Sequence, residues 1–302
     1  MSVNIIFKKV SLFVVLPGVL ALCSCNNPFQ PEVQYSPKLN VYSVLFANAP
    51  VVYVRVMPVS ESPSGVSAQV HGASVTLEGS GLTGVEILRD TTAVIGGDTT
   101  SFYYAPVKVL PGGSYSVSVS QAGYPTAVAN VDVPYSYAAI PDQATYDGLQ
   151  NPKHLHQQIQ LTVNLSELAS AAFVQMLVEC RGIDQTGRFT TAYFNVIPVD
   201  SLNPFIELSS TKYPITVDTT DYKTAFDLAD RFSQNLRPYH LYVDIIATQV
   251  DDNLYRYFIT STHTDTPLLM RTDKIVFSNI FNSAGTGIVA GACVDTTRIF
   301  LY

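Results

Sequence analysis

His154-Leu-His156 sets two imidazoles at a spacing that would put both on one face of a strand, within reach of one metal ion. A catalytic zinc usually takes three protein ligands, and no third lies nearby in the sequence. The pair is therefore read as polar residues at the start of a strand, and no metal is assigned. His71, His240 and His263 are isolated and read as surface or core side chains. Asp251 and Asp252 bring two carboxylates to one turn, far short of the oxygen ligands of a calcium loop. Gly285-Thr-Gly287 followed by Gly291 has the look of a nucleotide loop. Such a loop needs a strand before it and a helix after it, so β-turns are the better reading. No G-x-S-x-G elbow is present. No catalytic set and no cofactor is assigned, and the chain is not read as an enzyme.

The segment Val10 to Asn26 carries a different chemistry. Lys8 and Lys9 precede a largely apolar run ending at Leu22 and interrupted by Pro17 and Gly18. A membrane-spanning helix needs about 20 apolar residues, so this shorter run reads as a secretory signal. Leu22-Cys23-Ser24-Cys25 follows, a large aliphatic residue three places before a cysteine with a small residue just ahead of it. This resembles the lipobox of bacterial lipoproteins, which implies that Cys25 is acylated on sulfur and becomes the mature N-terminus. Cys23 fits less well, because bulky Leu22 would occupy the cleavage position. Four cysteines are present and two belong to this segment, leaving Cys180 and Cys293. Export permits a disulfide between them, and two buried free thiols are an equal reading.

Removal of residues 1–24 takes away two lysines and no acid, leaving 15 Lys+Arg against 24 Asp+Glu, a net charge of −9. That balance argues against nucleic-acid binding, which needs a basic surface. Charged residues are only 14% and hydrophobic ones 47%, with 18 Tyr and 15 Phe, enough apolar material for packed cores.

The elements that position these residues read as strands. Residues 26–37 hold three prolines and little periodicity, so 25–37 is a tether. From Leu39, short period-two segments follow one another, clearest in Tyr115-Ser-Val-Ser-Val-Ser120. Seven such segments predict an immunoglobulin-like sandwich over 38–134. Val109-Leu-Pro-Gly-Gly-Ser-Tyr115 through Pro125 resembles the turn of transthyretin-like sandwiches, although a plain turn and a core tyrosine is the better reading. Residues 135–152 contain Pro141 and Pro152 and lose the period, predicting a connector between two domains. Residues 153–302 resume as a second, mainly antiparallel β domain. One short helix is expected over Thr224 to Gln234, and Asp251-Asp252-Asn253 reads as a hairpin turn leading into a strand from Leu254. Further strands are expected over Ile275 to Phe281, Gly287 to Ala292 and Arg298 to Tyr302.

The order of four stretches resembles the envelope lipoproteins of domain-of-unknown-function family 4249, known mostly from Bacteroidetes-type bacteria. They are Pro37-Lys-Leu-Asn-Val41, Val70-His-Gly-Ala-Ser-Val-Thr-Leu77, Pro111-Gly-Gly-Ser-Tyr115 through Tyr124-Pro125, and Val276-Phe-Ser-Asn-Ile280 leading to Gly287-Ile-Val-Ala-Gly291. Asn40 and Ser43 stand where an apolar residue and a glycine are expected. The resemblance implies no catalytic activity, and it implies a place beside outer-membrane transport systems. The expected function is thus a lipid-anchored outer-membrane module, non-catalytic, held to the membrane through its lipid and binding an outer-membrane transporter protein. A fimbrial or adhesin-type subunit is the alternative, and an envelope hydrolase has the least support. Asn26 follows the cysteine and Glu32 is the only acid before Lys38, so the periplasmic face is expected ahead of the cell surface.

Overall fold

The computed structural model describes residues 36–59, 70–95, 98–197, 212–261, 277–281 and 284–302. Cys25 and the tether up to residue 35 lie outside them. Alternating sequence becomes alternating burial. In β1 (Leu39–Phe46) every odd-numbered residue is buried, and in β2 (Val52–Pro58) Val52, Val54 and Val56 are. The strands β3 (Ser74–Gly79), β4 (Glu86–Ile87), β5 (Arg89–Ile95), β6 (Asp98–Ala105), β7 (Ser114–Ser120) and β8 (Ala127–Asp132) complete the first half. The second half contains β9 (Ala139–Pro141), β10 (Ile159–Asn164), β11 (Ala171–Asp184), β12 (Phe189–Ile197), β13 (Lys212–Val217), β14 (Leu236–Val250) and β15 (Gly285–Phe300). The fold is mainly β, as expected.

One eight-stranded sheet runs through the molecule in the order β12-β11-β14-β15-β1-β2-β6-β5. Its central join is the parallel pairing of β1 with β15, Leu39 opposite Gly285 through Phe46 opposite Ala292. The first and last strands are therefore neighbours. A four-stranded sheet, β4-β3-β7-β8, closes one sandwich, and a three-stranded sheet, β13-β10-β9, lies in the second half. One core gathers Leu39, Val54, Val75, Tyr103, Val117 and Val289. The other gathers Leu161, Val178, Phe226, Leu241, Val243 and Ile299. The expected division into two domains at 135–152 is corrected by this arrangement. Both halves share the long sheet, and Pro37–Tyr302 forms one compact unit. The segment 135–152 is itself folded: it holds β9 and α1 (Gln143–Gln150), and Ala139 and Leu149 are fully buried. Its prolines end elements without making a linker.

The expected helix is α2 (Thr219–Ser233), started one turn early by Asp218, whose side chain accepts the Thr220 amide at 2.7 Å. Two further helices correct the sequence reading. Asp142 caps α1 by accepting the Thr145 amide at 2.7 Å. The predicted hairpin turn at Asp251 is the N-cap of α3 (Asp252–Ser261), because Asp251 accepts the Leu254 amide at 2.9 Å. Arg256 and Asp252 pair at 2.7 Å one turn apart, and Leu254, Tyr257 and Phe258 fall on one face. The β-forming aromatics in this stretch mask that helical spacing. Gly285 and Gly287 begin β15 instead of making turns. Gly287 has φ +108, and a Cβ there would collide with the Val41 carbonyl of the parallel partner strand. Residues 277–280 form no strand, and β15 is one long strand in place of the two expected after Gly287.

Candidate functional site

The residues singled out in the sequence do not converge. His154 ends a 3-10 turn (Pro152–His154) and His156 follows buried Leu155, both histidines being exposed. Neither is on a strand, since β10 begins at Ile159. No group of three or more His, Cys, Asp or Glu residues poised to hold a metal occurs among the described residues. Cys180 and Cys293 are both buried and free, which corrects the possible disulfide. Cys180 pairs with Leu241 and Cys293 with Gln249 along the same strand, β14. Eight residues of strand separate those positions, about 27 Å, against the roughly 7 Å limit for a bridge. Burial pushes the Cys180 thiol up to about 11 and raises that of Cys293, so both are poor nucleophiles.

What the strands do assemble is a surface on the face of the long sheet opposite the second-half core. Cross-strand register places Tyr193, Glu179, Tyr242 and Phe300 in one row over four strands. Asn195, Leu177, Asp244 and Arg298 form the adjacent row. Between them runs an ionic lattice. Arg298 donates through Nε to Asp244 Oδ1 at 2.6 Å and through Nη2 to Asp244 Oδ2 at 2.7 Å. The same Nη2 reaches Glu179 Oε2 at 2.6 Å. Arg181 Nη2 lies 2.7 Å from Glu179 Oε1. Both carboxylates are almost completely buried, Glu179 at 2% and Asp244 at 4% exposure. The hydrogen bonds from Asp244 and Glu179 raise the Arg298 and Arg181 pKa values respectively, so both stay charged.

The two guanidinium groups also stack on Tyr242, at 4.7 Å for Arg181 and 4.9 Å for Arg298. Phe300 and His240 lean on the same ring, with centroids 5.5 and 6.3 Å away. The patch is thus rigid in its middle and open at its rim. Tyr193 is 61% exposed and Phe300 53%. The buried Arg181 Nε has no hydrogen-bond partner among the described residues. Sequence reasoning missed this lattice. Its signal was present: Glu179 and Arg181 alternate in a largely apolar strand, as do Tyr242 and Asp244 in β14. Strand pairing alone brings Arg298 to them.

Farther along the same face, α3 covers the sheet. Leu254 and Tyr255 pack on Ala171, Val250, Ala292 and Val44. Beside the helix lies an apolar groove of about 520 Å³, walled by Tyr42, Phe46, Tyr53, Phe102, Tyr257 and Phe258. Its rings meet edge to face, Tyr42 with Tyr257 at 6.3 Å and Tyr53 with Phe102 at 6.4 Å. The helix is held at its start by Asp251, whose amide also donates to the Gly291 carbonyl at 3.0 Å. Burial pushes the Asp251 carboxyl up to about 7, against the opposing pull of the Leu254 and Gly291 backbone and the Asn253 side chain.

The comparisons with known proteins bear on the family. A family model described as "Domain of unknown function (DUF4249)" matches residues 26–298. No curated protein matches the chain. Among solved structures, the FN1–FN3 domains of chicken CNTN1 align with 10% identity over 87% of this chain and 66% of that one, with a TM-score of 0.23. The C-terminal globular domain of an oligosaccharyltransferase from Pyrococcus abyssi aligns with 8% identity, 71% of this chain, 47% of that one and a TM-score of 0.22. This chain spans two thirds or less of the length of those structures.

Proposed function

The chain belongs to the family described as domain of unknown function DUF4249, and from that premise we propose that it is a lipid-anchored, non-catalytic binding module of the bacterial envelope. The anchor in this reading is Cys25 of Leu22-Cys-Ser-Cys25, whose acyl chains hold the protein to the outer membrane without spanning it. The tether lets the β body stand off the lipid, on the periplasmic face. The partner is a protein, an outer-membrane transporter, met through the open sheet face.

The observation that carries the binding role is the arginine–tyrosine patch. Arginine and tyrosine dominate the energetic centres of protein interfaces. Here Arg181, Tyr242 and Arg298 are already locked by Glu179 and Asp244, so little side-chain entropy remains to be lost on docking. The carboxylates are engaged by guanidinium groups and act as supports for the surface. Exposed Tyr193 and Phe300 flank the centre and supply apolar contact area.

The test is a pull-down from detergent-solubilised envelope with tagged protein, comparing the natural chain with a Tyr193→Ala/Phe300→Ala variant. Recovery of an outer-membrane transporter by the first and its loss with the second is the expected result. Recovery only of further copies of the chain favours the fimbrial alternative. Equal recovery by both proteins removes the patch from the argument. For the anchor, Cys25→Ala is expected to leave an unprocessed or unanchored protein. A Cys25→Ala chain that still partitions as mature lipidated protein overturns that part.

A further inference from the structure

We infer that the free edge of β12 is a docking site for a single extended segment of a partner protein, which adds to the sheet as a strand and carries a basic residue toward α2. This deepens the binding reading above and rests on it for the partner's being a protein. Four observations carry the inference.

The first is position. β12 ends the eight-stranded sheet, so among the described residues one side of its backbone faces no strand. Natural edges are blunted by charge, proline, shortness or cover, because open backbone groups recruit other chains. The remaining edges follow that rule. β5 carries Arg89 and Asp90, β13 carries Lys212 and Pro214, and β4 and β9 have two and three residues. The Asn130 carbonyl of β8 is bonded by the Asn253 and Asn279 side chains.

The second is composition. β12 reads Phe-Thr-Thr-Ala-Tyr-Phe-Asn-Val-Ile, nine residues with no charge, proline or glycine. It is the one long edge that breaks the rule among the described strands. Nothing in it repels an incoming strand, and its β-branched and aromatic residues favour pairing.

The third is the space beside it. A cleft of about 690 Å³ touches five consecutive residues, Tyr193 to Ile197. Consecutive residues alternate between the two faces of a strand, so a cleft touching all of them runs along the backbone edge. Its far wall is Ile215 to Val217 of β13, also consecutive, with Leu228 of α2. A space walled on both sides admits one extended segment and not the edge of a second folded sheet. That commits the occupant to a peptide-like strand, the mode in which main-chain bonds give affinity and side chains give selectivity.

The fourth is charge. The only charged residues among the described lining of the cleft are Asp218 and Asp221, both at the start of α2. The incoming strand therefore carries Lys or Arg at that end and apolar residues opposite Ile215 and Leu228.

The test uses the full-length protein in detergent and three synthetic nine-residue probes. One alternates threonine and valine with a terminal lysine, the second replaces that lysine with glutamate, and the third places proline at its centre. Hydrogen exchange of residues 189–197 and fluorescence anisotropy of labelled probes are the readouts. The lysine probe is expected to slow exchange across 189–197. It should bind about fivefold tighter than the glutamate probe, the size of one exposed ion pair, and the proline probe should not bind. Asp221→Lys, an exposed position, should abolish the preference for the lysine probe over the glutamate probe without altering the fold. Tyr193→Lys should weaken the lysine probe. Equal binding of the proline probe, or unchanged exchange at 189–197 with the lysine probe, overturns the inference. So does protection, before any probe is added, of the β12 amides that do not bond to β11, or a β12-dependent dimer that competes with the probe, since either means the free side of the edge already has another occupant. The two proposals fail separately. Probe binding without transporter recovery defeats the proposed partner alone, and transporter recovery without probe protection defeats the strand addition alone.

Discussion

The outer face of the long sheet solves one problem in two ways. Where α3 lies on it, Val44, Val250 and Ala292 pack under Leu254 and Tyr255, and small or aliphatic side chains suffice. Farther along the same strands no helix covers that face among the described residues, and the chain places Glu179, Asp244, Arg181, Arg298 and Tyr242 there. A covered face is stabilised by apolar area removed from water. The uncovered face makes its own cover from long side chains that lie down on one another. The charges at this end are buried by their own partners, so removing one partner costs more than the interaction itself is worth. The difference teaches where to look for recognition: where the chain has spent charge and aromatic rings on a surface that no other described element covers.

The sharpest way to break that comparison is Arg298→Ala. It strands Asp244 and Glu179, 6% and 3% exposed at their side chains, beside a single remaining guanidinium. Loss of about 3–5 kcal/mol of stability is expected, read by urea unfolding. The paired replacement Asp244→Leu/Arg298→Leu should recover much of that loss. A small effect of Arg298→Ala would mean that water already reaches the carboxylates and that the patch is not rigid.

The covered end has its own ionisable weak point. Asp251 has its carboxyl pushed up to about 7 by burial, while in the unfolded chain it sits near the ordinary aspartate value of 3.8. The folded state therefore binds the proton more tightly. Stability from this group is fully present below about pH 4 and is lost as pH rises through 7. The expected loss is on the order of 4 kcal/mol. Asp251→Asn keeps an oxygen to accept the Leu254 amide and cannot ionise. Its unfolding free energy should match the natural chain near pH 3 and exceed it increasingly as pH rises to about 8. Parallel pH profiles for the two proteins would show that Asp251 does not titrate in this range.

A smaller effect is expected from Leu254→Ala, which thins the contact between α3 and Val44, Val250 and Ala292. About 2 kcal/mol should be lost, and hydrogen exchange should rise first in α3 and the strands beneath it. If exchange rises equally at the β11 and β14 residues around Glu179 and Asp244, the two regions are one cooperative surface and the contrast drawn between them fails.

Much of this architecture was legible in residue order. Leu39, Val41 and Leu45, or Val117 and Val119, announce buried faces because strand periodicity is local. The spacing of Ala225, Phe226 and Ala229 announces α2 for the same reason. What depends on distant pairing was not legible. Nothing near Leu39 says that its neighbour is Gly285, and that one parallel pairing turns two apparent domains into one sheet. The separation of Cys180 from Cys293 is an offset along β14, which sequence distance does not encode. Asp251-Asp252-Asn253 was misread because acidic and amide residues favour helix caps as well as turns, and only the Leu254 amide decides between them. The ionic lattice lay between these cases. Its charges stood out within apolar strands, but their partnership required the register of three strands.

The finest contrast concerns the rim of the uncovered end. Tyr193 and Phe300 lie in the same cross-strand row as Glu179 and Tyr242, yet they are 61% and 53% exposed while Glu179 is buried. Side chains that remain mostly in water contribute little to folding, and surface substitutions of this kind change stability by no more than about 0.5 kcal/mol. If the rim existed to seal the lattice, truncating it would let water reach the carboxylates, and the cost would approach that of Arg298→Ala. If it exists to meet a partner, truncation leaves unfolding unchanged and shows only in association. Tyr193→Ala and Phe300→Ala, measured singly by urea unfolding and then in the envelope pull-down, separate the two. Unchanged unfolding with lost recovery of the partner is the expected pair of results. A cost above about 2 kcal/mol from either would make the rim part of the fold, and would leave the free edge of β12 as the stronger candidate for recognition.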